Sequence, residues 1–144
     1  MSSPLIAIDI GTVRIGMAIA DPDTNIAMPL TTIHIRHSDD PYREIADIIA
    51  QHGSTRIVVG WPLELDGSEG AAIKRTKAFL QRLKAVAPNI KIARQDERLS
   101  SVAAENALQA MQTTGSQKKN KVDAIAASLI LQMFLDKKCK YSHT

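Results

Sequence analysis

"IAIDIGTVRIGMAIADP", residues 6–22, reads as two short apolar strands joined by a Gly-Thr turn, with one carboxylate, Asp9, inside the first. By strand alternation Asp9 shares a face with Ala7 and Gly11, beside apolar Leu5. A buried carboxylate that stays ionised needs a partner or a metal, because an unpaired charge is costly away from water. Two chemistries place an aspartate here: a loop that holds nucleotide phosphates, or a ligand set for a divalent cation. The plain structural alternative is an exposed polar residue on an edge strand.

The rest of the chain supplies the frame for that strand. "IAMPLTTIHI" reads as a third strand, and a helix is expected from Asp40 as N-cap, with Pro41 in the first turn, to a stop at Gly53. "TRIVVGWP" is a buried strand ended by Gly and Pro. Residues 71–87 read as a helix with Ala72, Phe79, Leu80 and Leu83 inward, "NIKIARQ" as a fifth strand and "SVAAENALQAM" as a third helix. "TTGSQKKN" has the composition of a flexible loop, and the last helix repeats Val122, Ile125, Ala126, Leu129, Ile130 and Met133 at helical spacing. Three strands followed by alternating helix and strand predict an α/β fold, a mixed five-stranded sheet flanked by helices. In such sheets sites gather at the carboxyl ends of the strands.

No internal repeat or break in composition divides the 144 residues, so one domain is expected over 1–137, followed by a short basic tail, 138–144. No apolar run approaches the roughly 20 residues that cross a bilayer, and no basic segment precedes the first apolar run, so neither a membrane span nor a signal peptide is expected. A single cysteine, Cys139, forms no internal disulfide and fits a reducing cytoplasm. The net charge is +3, unevenly spread. Residues 1–40 carry mostly acids, whereas 115–144 carry six lysines against Asp123 and Asp136. A basic end favours a polyanionic partner such as nucleic acid; a solvated tail is the alternative.

Asp96 and Glu97 follow the fifth strand at its carboxyl end, within "DERLSS". They either form part of a site or favour the start of the next helix. Asp123 falls in the first turn expected of the last helix, where a carboxylate is also welcome on dipole grounds. Lys118, Lys119 and Lys121 weaken that second reading, since they crowd a helix end that is already positive. The same crowding suits a docked phosphate backbone. Three carboxylates converging from Asp9, the "DE" pair and Asp123 repel one another unless one is protonated or a divalent cation, Mg²⁺ or Mn²⁺, sits among them. That arrangement is used for metal-assisted cleavage of phosphodiesters, with Arg14, Arg98 and the lysines placed to hold phosphates.

"DIGTVRIGMAIAD", "VVGWPLELDGSEG", "DERLSS" and "VDAIAASLIL", in that order over roughly residues 5–135, resemble the YqgF/RuvX family. The resemblance implies an RNase H-like fold related to the Holliday-junction resolvase RuvC, and a nuclease implicated in maturing the 5′ end of 16S rRNA. Carried over by position, it implies Asp9, Glu97 and Asp123 as catalytic, metal-holding carboxylates. Gly11, Arg14, Gly16, Gly60, Pro62, Gly67, Arg98 and Ser100 match further signature positions. The implied partner is precursor rRNA or the small ribosomal subunit, and the implied state a monomer or weak homodimer. One departure stands out: the resolvases carry two aspartates three residues apart in the last helix, and here Asn120 takes the place of the first. This argues against carrying over junction resolution. Asp96 is the available substitute.

Two rival readings remain. "D-x-G-T" also resembles the first phosphate loop of the sugar-kinase, actin and heat-shock ATPase group. That fold needs two lobes, whereas this chain has length for one and no second such loop, which argues against ATP hydrolysis. The other rival is a binding module that escorts rRNA without cutting it. His34 and His37 read as surface residues without a third ligand, and Trp61 as packing. With aromatics at only 3% of residues, binding should rest on phosphates more than on stacked bases.

Overall fold

Alternation in the first strand sends Ile6 and Ile8 to one side of a sheet and Ala7 to the other, and all three are buried. A strand covered on both faces belongs to a sheet with a layer packed on each side, and such apolar runs are typical of its interior. In the computed structural model, which describes residues 3–21, 23–64, 66–96 and 115–142 (115–121 and 138–142 as backbone only), this strand lies in the middle of its sheet. β1 (Leu5–Ile10), β2 (Arg14–Ala20) and β3 (Ala27–His34) form an antiparallel meander. α1 (Pro41–Gln51) then leads to β4 (Arg56–Trp61), and α2 (Ala71–Val86) to β5 (Lys91–Asp96). Both later strands run parallel to β1 and give the order β3-β2-β1-β4-β5. The expected mixed five-stranded sheet is therefore observed. α3 (Gly115–Ser142) closes the described chain.

Local signals behave as their chemistry dictates. The Asp40 carboxylate accepts from the Arg43 amide at 3.1 Å to cap α1. The helix ends one residue before His52, and Gly53 then adopts a positive φ of 68°. Pro29, unable to donate to a ladder, sits on outer strand β3 where the register with β2 shifts between Met17 and Ala18.

The sheet packs two different cores. On one face Ile6, Ile8, Ile15, Met17 and Ile57 meet Ile45 and Ile49 of α1 and Ile73, Phe79 and Leu83 of α2. On the other, Ala7, Ala18, Ala20 and Val58 meet Ala127, Ile130, Leu131 and Leu135 of α3. Alanines on that second face let the helix backbone come close. At Gly16 they nearly touch, since a Cβ there would overlap the Asp123 carbonyl. Gln132 fixes the other end, accepting from the Ala27 amide at 2.9 Å and donating to the Asn25 carbonyl at 3.1 Å.

Three expectations change. Gly115–Asn120, read as a loop, is helical, because Gln and Lys are good helix formers and only the Thr-Thr-Gly-Ser part of the stretch carries a loop signal. Met133 is 37% exposed, and the face of α3 that meets the sheet runs instead through Ala124, Ala127 and Leu131 beside Ala126 and Ile130. The alanine-rich sheet face accepts the helix along its smallest side chains, which a search for large apolar residues passes over. In α2 Phe79, Leu80 and Leu83 are buried as expected, but Ile73 and Thr76 join them in place of Ala72, whose carbonyl accepts from the Thr76 hydroxyl at 2.9 Å. "SVAAENALQAM" lies outside the described residues. The backbone of α3 continues to Ser142 through most of the stretch read as a tail.

Gly16→Ala sets a methyl group against main-chain atoms that cannot swing aside. Overpacking of this kind costs about 1–3 kcal/mol, so urea denaturation should show a loss of about 2 kcal/mol or more. Ala18→Gly, on the same strand and face, should lose no more than about 1 kcal/mol.

Candidate functional site

The second sheet face, under α3, is where the predicted residues gather. Asp9 pairs with Gly16 across the β1–β2 ladder, and cross-strand partners project to the same side. Ile8 pairs with Val59, so Gly60 of β4 is next in line on Asp9's other flank. Asp9 thus lies between two residues without side chains, at the carboxyl end of the central strand. The contact at Gly16 brings in the backbone of Asp123 from above. Two of the three residues expected to carry site carboxylates, from opposite ends of the sequence, are thus brought to one face.

Arg14 joins them. It starts β2 on the Gly16 side of the strand, and its Nε donates to Oδ2 of Asp123 in an ion pair with both side chains only 20–25% exposed. Partial burial makes such a charge-assisted bond stronger than a surface pair. Asp123 itself stands eight residues into α3, not in its first turn, because the helix begins at Gly115. A favourable helix dipole therefore does not account for it, since that effect fades beyond the first turn.

The remaining predicted positions divide clearly. The Gly11 amide donates to the Arg14 carbonyl at 3.0 Å, closing the turn that follows Asp9. Gly67 has φ of 88° in a turn beyond β4, where its amide donates to the Glu64 carbonyl at 2.8 Å. Lys118, Lys119 and Lys121 fall in the first two turns of α3, where the backbone alone is described. Glu97, Arg98 and Ser100 lie outside the described residues. Asp96 pairs with Trp61 and alternates with Arg94 and Ile92, which packs into the α1/α2 core. It therefore shares the face opposite Asp9 and does not substitute for a carboxylate there. Trp61 is buried in the same core, as expected of packing. His34 and His37 stack on one another with ring centroids 5.5 Å apart.

Carboxylate oxygens are the donors that hard cations such as Mg²⁺ and Mn²⁺ select, so Asp9 and Asp123 fit such an ion in chemical type. Among the described residues no group of three His, Cys, Asp or Glu side chains is gathered for a metal. Sequence reasoning missed Gln132, which anchors α3, and the cations of α2; a run of 16 residues with five basic and no acidic side chains was the available signal.

Comparison with known proteins gives the family and the fold. The sequence profile of the RuvX family, described as Holliday junction resolvase, matches residues 3–137. A protein of Chloroflexus aggregans named "Putative pre-16S rRNA nuclease" is 39% identical over 132 residues, 92% of either chain. One of the same name from Fusobacterium nucleatum is 41% identical over 134 residues, 92% of this chain and 96% of that one. Among solved structures, T. thermophilus RuvC in complex with Holliday junction substrate superposes with a TM-score of 0.58 at 11% identity, over 96% of this chain and 97% of that one. Fowlpox virus resolvase bound to Holliday junction DNA gives 0.57 at 12% identity, over 93% and 97%. At such identities the likeness is one of fold, and that fold is RNase H-like.

The Arg14–Asp123 pair is open to a direct test. Arg14→Ala leaves a half-buried carboxylate without its counter-ion and should lower stability by about 1–2 kcal/mol. A double-mutant cycle with Asp123→Asn should return a coupling of at least about 0.5 kcal/mol by chemical denaturation.

Proposed function

The chain belongs to the RuvX family and is a nuclease, and we propose that it hydrolyses RNA phosphodiester bonds in the 5′-end maturation of precursor 16S rRNA, using a divalent cation. The observation that carries this reading is the meeting of Asp9 and Asp123 on one sheet face across Gly16. The naming of close relatives supports the choice of RNA. Nucleic acid is the partner class; precursor rRNA or the small subunit, in the cytoplasm, is the proposed form of it.

In this reading Asp9, Asp123 and Glu97 hold Mg²⁺ or Mn²⁺, Glu97 being the residue that follows β5 directly. When bound, the cation activates water and offsets the charge that builds on the phosphate. The chain's own residues do the rest. Arg14 keeps the Asp123 carboxylate in position, and Arg98, Ser100, Lys118, Lys119 and Lys121 bind substrate phosphates. Gly60 puts no side chain on one flank of Asp9, while on the other the room above Gly16 is taken by the Asp123 carbonyl, which is what brings α3 to the site.

A second reading, resolution of DNA junctions, is favoured by the profile's description and by the two resolvase structures. Purified wild type and Asp9→Asn, incubated with a 16S precursor 5′-end fragment and with a four-way DNA junction, separate the two. Each substrate is tested in Mg²⁺, Mn²⁺ and EDTA. Wild type should cut the RNA only with metal. Asp9→Asn should retain less than about a hundredth of the rate, since losing even an outer partner of a metal ligand costs about 10–100-fold. Cutting of the junction alone would transfer the assignment to DNA, and RNA binding without cutting would favour an assembly factor.

A further inference from the structure

α2 is built against its own stability. Lys74, Arg75, Lys77, Arg82 and Lys84 are its only charged residues, and all five are exposed. Three of them stand in its amino-terminal half, where the helix dipole already carries positive charge, and Lys74 and Lys77 are like charges one turn apart. Its N-cap, Gly70, supplies no side-chain hydrogen bond, and its first turn holds no acid. Among the described residues one surface ion pair, Lys77 to Glu69 at 3.3 Å with both groups about half exposed, offsets little of this. The buried face of α2 accounts for its folding, but the crowding of like charge on its outer face does not help it, whereas a polyanion laid along that face would.

The surface on either side of α2 has the shape for one. Toward β5, an open groove of about 740 Å³ is walled by Lys74, Lys77 and Lys84 and by Arg94, which stacks 4.0 Å above the Trp61 ring. No acidic side chain lines it among the described residues. Toward the β1–β2 turn, a second hollow of about 390 Å³ is bounded by Gly11, Thr12, Arg75 and Arg82. Ala78 of α2 borders both. Gly11 is two residues beyond Asp9, and Trp61 and Arg94 stand near the carboxyl ends of β4 and β5. The cations thus lead away from the carboxylate end of the sheet along its opposite face. From Lys74 to Lys84 they span about 15 Å of helix.

We propose that the outer face of α2 is a second nucleic-acid surface, which holds the phosphate backbone of the RNA substrate outside the cut. The inference rests on the nuclease reading for its choice of RNA, and on α2 and its two hollows for the place. Phosphate contact by lysine and arginine releases counter-ions, so each lost contact shallows the salt dependence of binding by about 0.7 for a single strand.

The test uses the full chain carrying Asp9→Asn, in EDTA, so that binding is read without cutting. Affinity for single-stranded RNA from the 16S precursor 5′ end is measured by fluorescence anisotropy over a series of salt concentrations. Lys74→Gln/Lys77→Gln/Lys84→Gln should weaken binding and shallow the log–log slope by about 2. Arg36→Gln/Arg43→Gln/Lys91→Gln removes the same charge from exposed positions elsewhere and should leave the slope near its starting value. Circular dichroism checks that both variants are folded. An unchanged slope in the α2 variant would overturn the proposal. So would an equal loss in both variants, which means diffuse charge, or a loss seen with a four-way DNA junction and not with the RNA. If RNA binding behaves as expected while wild type cuts nothing, the nuclease reading fails and this surface stands.

Discussion

Gly16 of β2 and the Asp123–Ala124 peptide of α3 come together so closely that no side chain fits between them. Everything chemical on that face of the sheet depends on this approach. Because nothing projects from Gly16, the helix settles onto the strand, and the strand's partner in the ladder is Asp9. Alanines at 7, 18 and 20 keep the helix low over the rest of its length, and Ile130, Leu131 and Leu135 supply the apolar contact that holds it there. A glycine inside a strand costs about 0.5–1 kcal/mol in backbone entropy. Here that cost accompanies a geometry that no residue with a side chain permits.

The sheet was readable because short apolar runs rich in isoleucine and valine are bounded by Gly, Pro or polar stops. β1 and β4 were plain for the further reason that burial on both faces makes their runs almost wholly apolar. α3 was harder. Its inward residues are mostly alanines, so the pattern of large side chains pointed partly outward, to Met133. Its start was hidden because Gly115 and Ser116 read equally well as loop or as the opening of a helix. In the site, Asp9 stood out as a charge in an apolar strand, and that signal is intrinsic to the sequence. The pairing of Arg14 with Asp123 was not legible, because the partners are 109 residues apart and only the folded sheet brings them together. Asp96 shows the opposite case. It looked eligible by its position at a strand end, and the register of β5 alone puts it on the other face.

Charge is distributed by face and not by chain segment. Asp9 and Asp123 lie on the face under α3, and the basic helix α2 packs on the far side of the same sheet. A count over segments found the carboxyl-terminal lysines and overlooked α2, since its neighbours Glu64, Asp66 and Glu69 dilute the local sum. The fold undoes that dilution by placing the acids in the loop before the helix and the five cations on its surface.

Arg14 gives the site its electrostatic character. Its guanidinium presents several N–H donors in a fixed, planar fork, and one of them, Nε, is committed to Asp123. A carboxylate offers about four acceptor positions on two oxygens, and Arg14 Nε takes one position on Oδ2. Asp123 therefore has the capacity to keep its arginine and still serve a second cation. Asp9 reaches the same face from a central strand whose residues Ile6, Ala7 and Ile8 are fully buried, so its backbone is held by the sheet. One carboxylate is fixed by the sheet and the other by an arginine, and that leaves little ordering to be done when a cation or a phosphate arrives.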